Sequence, residues 1–319
     1  MKNFMRSAAA AIALTTIGLT TASAETRITY KSAKTGSSYY QMGVELAEAM
    51  KSGTDGDIIV TIEESQGSVQ NVMEARARGG DYVFTTPPAL VGLAQEGKAM
   101  FEGKGDPKFS EIRALFPIPS LTMHFVMSQE SGVTDITGLA GKTILLGKGS
   151  FGATEGEKYL GLFGMADSVQ IADAELSNAV AALKNGQIDG FVTAGSWPAP
   201  NVIEAAASTP VTVFSLTPEQ IAETKRTALT IPAGTYAGQG ADIETTSLPV
   251  VAYTTTAMDD ETAYQLTKTF WESKAKLAEN SPWWNGVDQS LMPTIETTIH
   301  PGAQRYYAEA GITLTDAQK

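Results

Sequence analysis

The 319-residue chain carries 35 acidic side chains against 23 basic ones, a formal charge of −12, and it contains no cysteine. That balance excludes nucleic acid and anionic membrane surfaces as natural partners, and the missing thiols exclude disulfides, thiolate metal sites and cysteine nucleophiles. With 43% hydrophobic and 18% charged residues the composition is that of a globular protein, and the length predicts two lobes rather than one core.

The chain opens with the pattern of a secretory signal peptide, residues 1–24. Lys2 and Arg6 precede the small apolar run Ser7–Leu19, and Ala22-Ser23-Ala24 supplies a small-x-small cleavage site before Glu25. The apolar core is too short and too rich in Ala and Thr to serve as a membrane anchor. No cysteine follows it, which excludes a lipid anchor on cysteine. The expected product is periplasmic, with no direct membrane insertion. Removal of Lys2 and Arg6 with the leader takes the charge from −12 to −14.

Beyond the leader, apolar runs predict strands at Arg27–Tyr30, Asp57–Ile62, Asp81–Phe84, Lys142–Gly147, Asp189–Val192 and Pro210–Phe214. Between them, Met42, Leu46 and Met50, and later Leu176, Val180 and Leu183, recur at helical spacings of three and four. This alternation predicts an α/β fold with mainly parallel sheets.

One arrangement occurs twice. Arg76-Ala77-Arg78-Gly79-Gly80 ends a helix ahead of the strand at Tyr82-Val83-Phe84 and the turn Thr85-Thr86-Pro87. Lys184-Asn185-Gly186 does the same ahead of Gly190-Phe191-Val192 and Thr193-Ala194-Gly195. Each strand delivers a small polar turn at its C-terminal end, where open α/β sheets bind ligands. A second pair has the same symmetry. Thr35-Gly36-Ser37-Ser38 leads into a helix beginning near Tyr39, with Ser38 and Gln41 spaced as a capping box. Gly147-Lys148-Gly149-Ser150-Phe151-Gly152 leads into a helix near Thr154, with Thr154 and Glu157 spaced the same way. Free N–H groups and the helix dipole at such ends favour an anion. Each loop taken alone is better explained as a helix cap, and it is the matching pair in both halves that points to a binding site.

These segments resemble the TAXI family, the TRAP-associated extracytoplasmic solute receptors. The likeness runs through Thr35–Gly43, Glu64-Ser65-Gln66-Gly67-Ser68-Val69-Gln70-Asn71, Gly147–Thr154, Leu183–Asp189, Ala233–Gln239 and Ile299-His300-Pro301-Gly302-Ala303-Gln304-Arg305-Tyr306-Tyr307. The resemblance implies a two-lobe, periplasmic binding protein-like fold of type II, with a hinge and a central ligand cleft. It places lobe 1 at 25–126 plus 249–319 and lobe 2 at 127–248, joined by crossing strands at His124–Ser128 and Pro249–Tyr253. It further implies a receptor that closes on a small organic acid, a dicarboxylate or acidic amino acid, and delivers it to TRAP membrane permease subunits. Members of the family often carry Gln and Asp where this chain has Thr85-Thr86-Pro87-Pro88.

The candidate ligand contacts follow from both readings. In the first half they are Thr35, Gly36, Ser37, Ser38 and Tyr39, then Ser65, Gly67, Ser68 and Asn71, and Thr86. In the second half they are Ser150, Phe151, Gly152, Ala153 and Thr154, then Ser196 and Trp197. Short hydroxyl and amide groups there would donate to carboxylate oxygens, and the alternative role for each is a cap or turn. Lys34, Lys148 and Arg113 are the cations near these loops. The two histidines, His124 and His300, cannot form a paired metal motif and read as a core residue and a turn. Neither a Gly-x-Ser-x-Gly elbow nor a phosphate loop is present, so no catalytic residue, metal or cofactor is expected. Two other functions share the pattern: an exported sensor for a signalling receptor, and an exported α/β hydrolase or lyase using paired carboxylates.

Overall fold

The computed structural model describes residues 25–319; the expected signal peptide lies outside the described residues. The first half alternates β1 (Thr26–Lys31), α1 (Ser38–Gly53), β2 (Ile58–Glu63), α2 (Ser68–Glu74), β3 (Tyr82–Thr86) and α3 (Pro88–Glu96) before the long strand β4 (Ile112–Ser128). The second half contains β5 (Thr143–Leu145), α4 (Phe151–Leu162), β6 (Gln170–Ala172), α5 (Ala179–Lys184), β7 (Gly190–Gly195), α6 (Pro200–Ser208), β8 (Val211–Val213), α7 (Pro218–Thr224) and β9 (Thr227–Ile231). A second long strand, β10 (Ile243–Thr255), returns the chain to the first half, which is completed by α8 (Asp260–Asn280) and α9 (Pro301–Glu309).

All ten strands join one sheet in the order β2-β1-β3-β10-β4-β7-β5-β6, with β8 on β4 and β9 on β10. The outer strands are parallel within each half: β1 with β2 and β3, and β5 with β6 and β7. The two long strands run antiparallel through the middle. β4 pairs with β10 from Ile112, opposite Thr255, as far as Thr122, opposite Ser247, and with β7 from Thr122 to Met127. Ile243–Ser247 of β10 pairs with β9. The strand expected to cross at His124–Ser128 passes from β10 to β7 at Thr122. On β10 the ladder to β4 skips between Leu248 and Val250, at Pro249. Proline has no N–H to give a ladder, so the ladder loosens where Pro119 and Pro249 stand, and two strands alone carry the chain between the halves.

The directions of these strands place the site. β3 ends at Thr86 opposite Val251, and β7 ends at Gly195 opposite Thr122. The C-terminal ends of both parallel half-sheets thus point at the crossing, and the loops that follow them face each other across it.

The main core runs through both halves and contains Met42, Leu46, Phe84, Phe116, Phe125, Tyr159, Phe270 and Trp284. A smaller cluster around Val126, Phe191, Val202 and Tyr236 belongs to the second half. The expected helical face Met42, Leu46 and Met50 is buried along α1. Of the second triplet, Val180 and Leu183 are buried on α5, while Leu176 sits before the helix and faces the cleft. Trp283 and Trp284 both donate their indole N–H to Glu45 of α1, at 3.2 and 2.6 Å, and Ser281 Oγ donates to the same carboxylate at 2.6 Å. One carboxylate on α1 thereby holds the segment after α8 against the first half.

Candidate ligand-binding cleft

A cavity of about 400 Å³ lies between the opposed loops. Its first-half wall is built from the loops after β1 and β2 and from the end of β3, and its second-half wall from the loops after β5 and β6, the start of α4 and Ala194 of β7. Leu121 of β4 and Val250 of β10, from the crossing itself, complete the lining.

Two serine-capped helix ends meet here. Ser37 has extended backbone, φ −84° and ψ 155°, and its Oγ accepts from Tyr40 N at 3.2 Å while donating to Lys34 O at 2.7 Å. Ser150, at φ −82° and ψ 158°, accepts from Ala153 N at 3.0 Å. The expected capping boxes at Ser38/Gln41 and Thr154/Glu157 are therefore not the caps. Both helices start earlier, because Ser37 and Ser150 have the non-helical backbone from which a side-chain oxygen reaches the N–H three residues on. The caps leave the N–H groups of the first two residues of α1 and α4 without an intrahelical acceptor.

Of the candidate residues, Thr35, Gly36, Ser37, Tyr39, Gly67, Ser68, Ser150, Phe151 and Gly152 line the cavity. Two of these have hydroxyls already committed, since Tyr39 Oη donates to Pro119 O at 2.9 Å and Ser37 is occupied by its cap. The remaining eight lie off the lining. Ser65 Oγ donates to Ser32 O and accepts from Gly67 N, and Asn71 Nδ2 donates to Ser32 O and Thr85 O. These two pin the first-half loops together from behind. Ser38 Oγ accepts from Ser196 N at 3.0 Å, a bond between the halves, and Ser196 Oγ donates to Ser120 O on β4. Thr86 is buried, Ala153 is buried beneath its cap bond, and Thr154 is exposed on the helix surface. Trp197 is half-buried beside a separate cavity shared with Trp283.

Glycine permits the close approach of the halves. Gly67 is set by its backbone, φ +113°, since a Cβ there would make only ordinary contact, 3.6 Å, with Phe151 N of the opposite half. A Cβ on Gly195 would lie 2.7 Å from Ser38 Oγ, inside ordinary contact distance.

Lys34 and Lys148 both line the cavity, and Arg113 does not. Lys34 Nζ lies 3.5 Å from Glu175 across the mouth, and Lys148 Nζ lies 2.7 Å from Asp173 within the second half. Glu64 Oε1 accepts from Thr35 N at 3.0 Å. Sequence patterns did not single out Thr85, Leu121, Leu146, Leu176 and Val250 as lining. Thr85 carried a signal, as the residue beside Thr86 at a strand end, where side chains alternate between faces. The apolar four read as core in any linear pattern.

Both histidines serve the framework. His124 is buried; Tyr236 Oη donates to its Nε2 at 2.7 Å and its Nδ1–H donates to Thr122 O at 3.1 Å. Burial without a charged partner pushes its pKa down to about 4. His300 caps α9, its Nδ1 accepting from Gly302 N, and burial lowers its pKa as well.

Comparison with known proteins fits this geometry. A family model matches residues 31–311, nearly the whole described chain. The chain belongs to the NMT1-like family. Solved structures similar to this NMT1-like protein include the periplasmic binding protein BugD, at 12% identity and TM-score 0.56, covering 91% of this chain and 99% of that one. A second, described as a periplasmic transporter, matches at 10% identity and TM-score 0.57, covering 91% and 98%. A protein from Bordetella bronchiseptica RB50 matches at 15% identity and TM-score 0.50, covering 92% and 85%. These likenesses show the fold: a two-lobe, type II periplasmic binding protein-like arrangement. Among the described residues, no helix is long and apolar enough to cross a membrane.

Proposed function

We propose that the protein is the extracytoplasmic receptor of a TRAP-type importer, exported to the periplasm, where it closes on a small organic acid and delivers it to a membrane permease. One observation carries the reading: a cavity whose walls come from both halves of a sheet that only two strands hold together. A solute there touches both lobes at once, so it favours the closed arrangement and is enclosed by it. The serine-capped ends of α1 and α4 support an anionic ligand, because their free N–H groups and dipoles act from opposite sides of one space. The resemblance of Thr35–Gly43, Gly147–Thr154 and Ile299–Tyr307 to TAXI receptors supports a TRAP permease as partner. Binding without turnover is supported by the two histidines, each engaged in buried bonds away from the cavity.

The test is a thermal-shift screen of the purified protein against organic acids, amino acids and neutral sugars. A ligand at a hundredfold its dissociation constant, bound only by the native state, adds about 2.7 kcal/mol and raises the melting temperature. Stabilisation by acids, with the acid recovered unchanged, is the expected result. Conversion of the acid to a product would instead favour the hydrolase or lyase reading.

A further inference from the structure

Resting on that receptor reading, we infer that the cleft selects a monocarboxylate with an apolar body, rather than a dicarboxylate or an acidic amino acid. The charges on the wall are the first reason. Four charged side chains line the cavity, Lys34, Glu64, Lys148 and Glu175, and neither lysine is free. Lys34 faces Glu175 and Lys148 is paired with Asp173. A second carboxylate entering this space has to draw a lysine away from its present acidic partner and meets the carboxylates of Glu64 and Glu175. Desolvation of a second charge beside two acidic side chains is a cost that a ligand with one carboxylate does not meet.

One carboxylate, by contrast, has a place prepared for it. Thr85 at the end of β3 is only 3% exposed and lines the cavity, yet its hydroxyl has no hydrogen-bond partner among the described residues. Thr86 Oγ1 is fully enclosed, whereas Thr85 Oγ1 keeps a small accessible surface. The Thr85 hydroxyl therefore opens onto the cavity. The Ser68 hydroxyl has no protein partner either, and Ser150 Oγ accepts from Ala153 N while its own proton is unused. Together with the first-turn N–H groups of α4, these hydroxyls are donors without an acceptor inside the protein that line the same cavity. A carboxylate is acceptor-only and takes several such bonds at once. Most of the remaining surface is hydrocarbon, from Leu121, Leu146, Phe151, Leu176, Ala194 and Val250, with Thr35, Gln66 and Ser177 among the polar lining residues. Donors for one anion and an apolar wall elsewhere match an amphipathic monoacid.

Calorimetric titration of the purified protein with hexanoate, 4-methylpentanoate and 3-phenylpropanoate tests this, with adipate and hexanamide as controls. The expected result is binding by at least one monoacid, at least tenfold tighter than either control. Thr85→Val, which keeps shape and removes the hydroxyl, should weaken that monoacid by roughly tenfold, the worth of one charge-assisted bond. Adipate binding as tightly as the monoacids would overturn the inference and leave the receptor reading intact. Equal binding of hexanamide would show that the charge is not recognised, and would overturn it too. Failure of all three monoacids also overturns it; the receptor reading then rests on whether the wider screen of amino acids, other acids and sugars yields a ligand.

Discussion

At Ser37 a single hydroxyl accepts from Tyr40 N and donates to Lys34 O, so it closes the loop after β1 and caps α1 together. Ser37→Ala should cost about 1 kcal/mol in urea unfolding, the usual value of a lost N-cap. An unchanged unfolding midpoint would mean the loop is held by something else. His124 sets a pH dependence. Its pKa falls from 6.5 to about 4 on folding, so the unfolded chain binds more protons between those values. Its contribution is fully present above pH 6.5 and is lost as the pH falls toward 4, amounting to about 3 kcal/mol. His300 acts in the same direction. The carboxylates held low by hydrogen bonds, such as Asp135 and Asp259, lose their contribution in the more acidic range. Unfolding measured at pH 7.5 and pH 4.5 should show this drop, and a flat profile would contradict a buried, neutral His124.

At the scale of elements, the opposed ends of β3 and β7 bring Gly195 against Ser38 of α1. Gly195→Ala places a Cβ in that contact and should push the halves apart. Ligand affinity is expected to fall about tenfold, with the melting temperature of the free protein little changed. Loss of stability without loss of affinity would place the contact outside closure. Glu45 on α1 is the acceptor for Trp283, Trp284 and Ser281. Glu45→Ala strands three donors and should cost about 2 kcal/mol, with a change in tryptophan fluorescence as a second readout.

The outer strands were legible because β1, β2, β3 and β7 are short apolar runs bounded by polar turns. The early half of β4 was not, since Pro117 and Pro119 argue against a strand in any local reading, and only pairing with β10 accommodates them. The caps were misplaced by the same limitation: adjacent serines at 37 and 38 compete for one role, and backbone conformation decides between them. The polar edge of the cleft could be read from the Gly/Ser loops. Its apolar wall could not, because a leucine in a cleft and one in a core follow the same pattern.

At the scale of the whole molecule, two half-sheets share a pair of strands, and each directs its strand ends toward the other. The Lys34–Glu175 pair spans the mouth, and the Ser38–Ser196 bond ties the halves near the crossing. An exposed ion pair of this kind contributes less than about 1 kcal/mol, so enclosure must draw on the ligand's own contacts. The central claim is that a bound acid holds the two halves closed. Because the chain has no cysteine, labels can be placed at will. The direct measurement is the spin-label distance between Gln41→Cys on α1 and Glu157→Cys on α4, both exposed positions, with and without the acid that gives the largest thermal shift. A shorter and narrower distance distribution on saturation is the predicted result. An unchanged distribution in a protein that binds the acid would contradict closure and, with it, the receptor mechanism.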